Sequence, residues 1–393
     1  MSAENKVPAI RFEGFSGEWE EKKLGEVCLI GDIDHKMPQS VKDGIPYLMT
    51  GDFIGINDLD FNNAKLISVE DYEQLSKKIK PETGDILFAR YASVGAVRYV
   101  ETNLKFTISY SCAILKSSTT YSEGRYLFYY LQSSKAQHQV ELEINTGSQR
   151  NIGIDSLKKI IVTFPINKEK LKVSCFIKNL DTLIVQHQQK HDKLLNLKKA
   201  MLEKMFPKQG ATVPEIRFKG FSGEWSQRAV FELCSISTGK NNTQDKIHDG
   251  EYPFYVRSAT IERSNNYLFD EEAVLTVGDG VGTGKVYHYV QGKYDLHQRV
   301  YRMYDFNGVT GKYFYYYFSN NFYDRVISMT AKTSVDSVRL DMISNMSIKL
   351  PVIEEQKNIA RFLDSLDTLI TQHQAQLKKL NNIKQACLEK MFV

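Results

Sequence analysis

"LDTLIVQHQQKHDKLLNLKKAMLEKMF", Leu180 to Phe206, returns as "LDTLITQHQAQLKKLNNIKQACLEKMF", Leu366 to Phe392, with 18 of 27 positions identical. Leu180, Leu183, His187, Leu194, Leu197 and Met201 follow three–four spacing, as do Leu366, Leu369, His373, Leu380, Ile383 and Cys387. Upstream, "PINKEKLKVSCFIKNLDTLI" and "PVIEEQKNIARFLDSLDTLI" each set a proline before the periodic run, a helix start signal. The pattern predicts helices from Lys168 to Met205 and from Glu354 to Met391, 38 residues each. At 1.5 Å per residue each would be about 57 Å long, far beyond an average helix. A narrow stripe sustained over that length is a coiled-coil seam. Two such helices in one chain pair most simply with each other, and antiparallel pairing would relate the two halves by a pseudo-twofold axis. His187 and His373 would fix register on the seam, since neither has a partner histidine or carboxylate at ligand spacing.

Working outward, the segments ahead of the helices repeat too. "RFEGFSGEW" at Arg11 to Trp19 returns as "RFKGFSGEW" at Arg217 to Trp225. The offset is 206 at the front and 186 at the helices, so the first middle is 20 residues longer than the second. This period is too long for a solenoid, whose units run about 20–50 residues. A whole domain with its helix has been duplicated. The middles share only landmarks: "DGIPYL" at Asp43 with "DGEYPFY" at Asp249, and "GDILFARYASVG" at Gly84 with "VLTVGDGVG" at Val274. They carry strand patterns ("GDILFARY", "AVRYVE", "SCAILK", "KIIVTF", "AVLTV", "GKVYHYV", "HQRVYRMY", "MSIKL") and two aromatic-rich helical patterns, "GRYLFYYLQSSKAQHQV" and "GKYFYYYFSNNFYDRVI". Those aromatics read as core. The fold class is α+β. "PKQGAT" reads as a linker. The expected division is a globular domain at 1–165, a helix at 166–206, a linker at 207–212, a second domain at 213–351 and a second helix at 352–393.

The chain of 393 residues is long enough for two cores, and 42% apolar with 25% charged residues is ordinary for a globular protein. No apolar run approaches a membrane span, and "MSAENKVPAI" lacks the apolar core of a secretion signal, so a cytoplasmic protein is expected. Five scattered cysteines (Cys28, Cys112, Cys175, Cys234, Cys387) without a CxxC pair argue against disulfides and zinc and for buried, reduced thiols. A net charge of +4 decides nothing without its distribution.

Enzyme motifs fail on inspection. In "GDGVGTGKV", Gly278 to Val286, a phosphate loop would need glycine where Asp279 stands and Ser or Thr where Val286 stands. The strand pattern "VYHYV" follows, where a dinucleotide fold needs a helix, so a glycine hairpin near a large ligand is expected. The Asn/Asp-Pro-Pro-aromatic motif of amino-group methyltransferases is absent, as are HExxH, GxSxG and nuclease constellations. The chain reads as non-catalytic, with no metal site.

Side chains suited to DNA lie on the expected loops. In the first half they are Lys36, Arg90, Arg98, Gln149, Arg150 and Asn151. In the second they are Lys240, Asn241, Asn242, Arg257, Lys285, His297, Arg299 and Lys332. Arg, Asn and Gln can form bidentate bonds to guanine and adenine edges, while Lys and Arg neutralise phosphates. Lys190 to Lys208 adds six lysines against Asp192 and Glu203.

The repeated "RFxGFSGEW" and "PVIEEQKNIARFLDSLDTLI" resemble the specificity subunit of type I restriction–modification systems, over nearly the whole chain and in that family's order. The first helix departs from the pattern at its start, "INKEKLKVSCFIKNLD". The resemblance implies two target-recognition domains, each reading one half of a split, asymmetric double-stranded DNA site, with the paired helices as the ruler between them. It implies two modification (methyltransferase) subunits carrying S-adenosylmethionine, restriction subunits that translocate and cut, and no cofactor on this chain. Two other readings stay open: an unrecognised methyltransferase or nuclease, and a coiled-coil scaffold whose domains bind something other than DNA.

Overall fold

The long helices form at Asn167–Met205 and Ile353–Lys390. They belong to a computed structural model that describes residues 6–117, 121–147, 149–280, 282–329 and 337–393. Burial along the first helix recurs at Val173, Ile177, Leu180, Ile184, His187, His191, Leu194, Lys198, Met201 and Met205, alternating four and three residues apart. The second helix repeats this at Ile359, Leu363, Leu366, Ile370, His373, Leu377, Leu380, Lys384, Cys387 and Met391.

This corrects the expected stripe in one respect. Leu183, Leu197, Leu369 and Ile383 are 36–42% exposed. They stand one residue off the 3.5-residue repeat, and Ile184, Lys198, Ile370 and Lys384 hold the seam instead. The two seam lysines are matched by carboxylates, Lys384 to Asp181 at 2.7 Å and Lys198 to Asp367 at 2.5 Å. Going forward from Asp181 to Lys198 on one helix means going back from Lys384 to Asp367 on the other, so the helices run antiparallel.

The chain divides into two compact units, Met1–Gln189 with Gln374–Val393, and Lys190–His373. Each unit therefore takes the final turns of one long helix from the other repeat. In the first unit Met391, Phe392 and Val393 join a core with Trp19, Tyr126, Tyr130, Val162 and Ile177. Phe392 packs on Tyr126 and edge-on to Tyr130, with ring centroids at 5.6 and 5.7 Å. In the second unit Phe206 meets Tyr313 and Tyr317 edge-on, at 5.8 and 5.3 Å. The repeated front segment clamps each helix start. Arg11 forks onto Glu169 at 2.7 and 2.8 Å, and Arg217 onto Glu355 at the same distances. Phe12 meets Phe176 edge-on, as Phe218 meets Phe362.

Each unit also pairs its first strand with its last: Glu20–Lys23 with Ile161–Phe164, and Ser226–Ala229 with Ser347–Leu350, both antiparallel. Between these, the first unit holds a four-stranded sheet in the order Leu29–Gly31, Cys112–Lys116, Ile86–Ala89, Val97–Tyr99, and a three-stranded sheet around Ile45–Leu48. The second unit joins the corresponding pieces into one six-stranded sheet, because its Tyr287–Leu296 strand runs on from pairing with Phe269–Val277 to pairing parallel with Tyr252–Tyr255. All eight expected strand patterns contain strands.

The aromatic patterns form core helices. Gly311–Met329 is continuous, whereas its counterpart splits into Tyr121–Tyr130 and Ser134–Leu142. There Ser133 stops one helix and caps the next, its Oγ accepting from the Ala136 N–H at 3.2 Å. Cys28, Cys112, Cys234 and Cys387 are free and buried, and burial pushes the first three thiols up to about 12. Cys175 corrects the expectation of buried thiols: it lies exposed on the outer face of the first long helix.

Candidate nucleic-acid interface

In each unit the central strand of the main sheet ends in a turn that is tied down in the same way. In the first, Ile86–Ala89 runs into Arg90, whose N–H donates to the Ser111 carbonyl (2.9 Å) while its own carbonyl accepts from Ile152 N–H (3.1 Å). Tyr91 then bridges to Asn151, and Ala92 follows in the left-handed region at φ 57°. In the second, Phe269–Val277 runs into Gly278, whose N–H donates to Arg299 (2.8 Å) and whose carbonyl accepts from Val338 (2.7 Å). Asp279 bridges to Ser337, and Gly280 follows at φ 92°. The glycine hairpin expected at Gly278 to Val286 is thus present, joining Phe269–Val277 to Tyr287–Leu296. The frames coincide and the side chains do not. Tyr91 stands where the second unit has Asp279, and Asn151 where it has Ser337. A Cβ at Gly278 would meet the Arg299 carbonyl at 2.8 Å, so no arginine could copy Arg90 there.

Around the first frame, Arg90 is buried, with Nη1 2.5 Å from Asp32 Oδ2 and Nε donating to the Ile152 carbonyl at 3.0 Å. Asp32 also receives Lys78 and His35, each at 3.1 Å, and His35 stacks on Tyr110 at 4.8 Å. Burial pushes the Asp32 carboxyl up, but His35, Lys78 and Arg90 together hold it below the usual carboxylate range. Arg98 lies over the Phe53 ring at 5.2 Å and donates to the Val97, Gly55, Ile54 and Asp58 carbonyls. Lys36 is half-exposed and bonds to Asp71 and Gln74. Gln149 is exposed, Arg150 pairs with Glu141, and the Asn151 amide donates to the Gln149 carbonyl at 2.8 Å.

Around the second frame, Arg257 and Arg299 each lie 3.6 Å from Asp279, with side chains 48% and 65% exposed. His297 is buried, and its Nδ1 accepts from the Arg299 N–H at 2.9 Å. Burial, with Arg257 and Arg299 nearby, holds its imidazole below the usual range. The Asn241 amide donates to both oxygens of Asp295 at 2.8 Å, and Asn242 accepts from Gln298 at 2.5 Å. Lys285 is exposed, its ammonium 4.9 Å from the Tyr323 ring, and Lys240 is exposed. Lys332 lies outside the described residues. Of the basic run Lys190 to Lys208, Lys198 is taken up by Asp367, and Lys204 and Lys208 by Glu215.

The structure thus gathers Arg257, Asp279, His297 and Arg299 in one place, and Arg90, Asn151, Gln149 and Arg150 in its counterpart. Lys36 and Arg98 bond to other parts of the first unit, Lys285 lies in the second hairpin itself, and Asn241 and Asn242 adjoin His297 and Gln298, with Lys240 next to them in the chain. Sequence reasoning did not single out Asp32, Tyr91 and Asp279, which the folded chain places at or beside the two turns. For the tyrosine and the aspartate, the signal was the paired landmark "ARYASVG" and "VGDGVG". Among the described residues no group of three or more His, Cys, Asp or Glu is arranged to hold a metal, and no helix is long and apolar enough to cross a membrane.

This construction has relatives. The Type I restriction enzyme EcoDI specificity subunit of Escherichia coli is 28% identical over 162 residues, 41% of this chain and 35% of that one. The chain therefore spans about a third of that relative's length. The putative type I restriction enzyme MjaX specificity subunit of Methanocaldococcus jannaschii is 21% identical, covering 94% of this chain and 91% of that one. The crystal structure of the S subunit of a type I restriction-modification system from M. genitalium matches with a TM-score of 0.66 at 15% identity, over 98% of this chain and 99% of that one, a likeness of fold. The type I restriction modification DNA specificity domain matches residues 16–218 and again 222–382, and the chain belongs to that family.

Proposed function

We propose that this chain is the non-catalytic DNA-reading subunit of a type I restriction–modification complex. Residues 1–165 and 213–351 would each read one half of a split, asymmetric duplex site, with 207–212 as the linker. The helices at 166–206 and 352–393 would set the gap. The observation that carries the reading is the pair of equivalently tied turns, at Arg90–Ala92 and Gly278–Gly280, which present unlike side chains from a like frame. A protein that reads two different sequences through one scaffold requires that arrangement.

Among the described candidates the roles divide by how far each side chain is engaged within the protein. Lys36, Gln149, Arg150, Asn151, Lys240, Asn242, Arg257, Lys285, Arg299 and Lys332 would meet phosphates and base edges. Arg90, Arg98, Asn241 and His297, each of which makes hydrogen bonds within the protein, would also hold the reading loops in shape. Two modification subunits carrying S-adenosylmethionine would supply the methylation chemistry, and restriction subunits the translocation and cleavage, all in the cytoplasm.

The test is methylation mapping in cells that express the chain with its modification subunit. A split motif with a constant gap, present only with this chain, is expected. Adding one heptad to both helices would lengthen each by about 10 Å. That should widen the gap by about three base pairs at 3.4 Å each, with both half-sites unchanged. A contiguous motif, or half-sites that change while the gap stays fixed, would refute the reading.

A further inference from the structure

We infer that Asp279 is a base-reading residue of the second unit, and that it selects a C·G pair by accepting a hydrogen bond from the cytosine amino group. The inference rests on the proposed function. Asp279 occupies the bridged position of the second frame, beside a cleft of about 430 Å³ that Thr238, Gln298, Arg299, Tyr301 and Arg339 also line. Its Oδ1 is buried and makes no hydrogen bond among the described residues. The nearest cation on that side is Arg257 Nη1 at 3.6 Å, and Arg299 Nε lies 3.6 Å from Oδ2. Both distances exceed a hydrogen bond, so the guanidinium donors remain available, and the side chain, 31% exposed, can offer its second oxygen, Oδ2, to a donor outside.

A carboxylate is an unfavourable group to bring against phosphates, and it lowers affinity for DNA in general. Placed between two arginines, that cost is offset locally, and what remains is selectivity. The carboxylate needs an amino donor, which cytosine N4 supplies in the major groove, and an arginine beside it can donate to O6 and N7 of the paired guanine. One acceptor flanked by donors therefore matches the edge of a C·G pair. The counterpart position in the first unit is Tyr91, beneath the Arg90 guanidinium at 5.6 Å, so the two readers differ in chemistry at one equivalent place.

The experiment uses the full chain assembled with its modification subunit. Duplexes carrying the mapped site compete for binding with duplexes changed at one base pair at a time. In D279A, which removes the acceptor, discrimination at one C·G pair of one half-site should fall by about tenfold or more. Affinity for unrelated duplex should hold or rise, and the other half-site should be unaffected. D279S is run in parallel, so that a folding loss in one variant leaves the measurement in the other. Unchanged discrimination, or weakening by the same factor on every duplex, overturns the inference. A wild-type complex that marks no split site at all sinks the functional reading instead, which separates the two failures.

Discussion

Replacing Phe206 with alanine should destabilise the domain of the other repeat and spare its own. Phe206 follows the last residue of the first repeat's helix, yet it is only 3% exposed and its ring sits edge-on to Tyr313 and Tyr317 in the second unit. Truncating a buried phenylalanine costs about 3–5 kcal/mol, of which two edge-on aromatic contacts account for about 0.5–1.5 kcal/mol each. Since 1.4 kcal/mol is a factor of ten, amides that exchange through opening of the second unit should lose about a hundredfold protection or more. Hydrogen exchange of the full chain reads this directly, comparing Phe269–Val277 and Val300–Tyr304 with Ile86–Ala89 and Cys112–Lys116. The mirror variant, F392A, should loosen the first unit, whose Tyr126 and Tyr130 receive that ring. If F206A released the first unit's strands and left the second's protected, the exchange of helix ends would be refuted.

Two further outcomes follow from buried charge. Arg217→Met would strand Glu355, whose side chain is fully buried, and should cost about 3–5 kcal/mol, while R217M/E355M should recover most of it. Urea unfolding followed at Trp225 in a W19F background checks this, and a double variant no more stable than the single would sink the reasoning. The second outcome concerns pH. Burial holds the His297 and His288 imidazoles below their usual range, so the unfolded chain takes up protons first as pH falls. Their contribution is intact above about pH 6.5 and is lost as pH drops through the lowered folded values. The second unit should therefore be less stable at pH 5 than at pH 7. H297Q should flatten part of that slope, and an unchanged slope would count against the burial argument.

The long helices, their antiparallel partnership and the duplication were legible because each is written locally, in spacing and in repetition. The seam was legible only in part. Apolarity nominated Leu183 and Leu197, but a lysine can hold a seam position when the facing helix supplies a carboxylate, and no local pattern announces that. The start of the first helix looked divergent, yet Glu169 stands where Glu355 does and takes the same arginine fork. The candidate contacts were chosen by residue type, and type alone does not tell a surface arginine from a buried one. Arg90 is buried because it bonds Asp32, 58 positions away, a fact of the folded sheet. Asp279 was visible only as part of a hairpin, since its neighbours Arg257 and Arg299 come from separate strand ends.

The exchange of helix ends also bears on why the repeat is faithful where it is. Each "LEKMF" terminus must fit a socket built by the other copy: Phe206 between Tyr313 and Tyr317, Phe392 against Tyr126 and Tyr130. Each seam lysine must find the other helix's aspartate, and that aspartate also accepts from a tyrosine of the core helix, Tyr129 to Asp181 at 2.9 Å and Tyr316 to Asp367 at 2.8 Å. A change in one terminus therefore needs a matching change in the opposite copy, and two-sided constraints of this kind keep both ends alike. The bridged turns are held by backbone hydrogen bonds, which are indifferent to side-chain type beyond the space available. Tyr91 and Asp279 could thus become unlike without disturbing either core. The same chain is in this way bound to sameness at its helix termini and released from it at the turns, the combination that the proposed two-reader function would use.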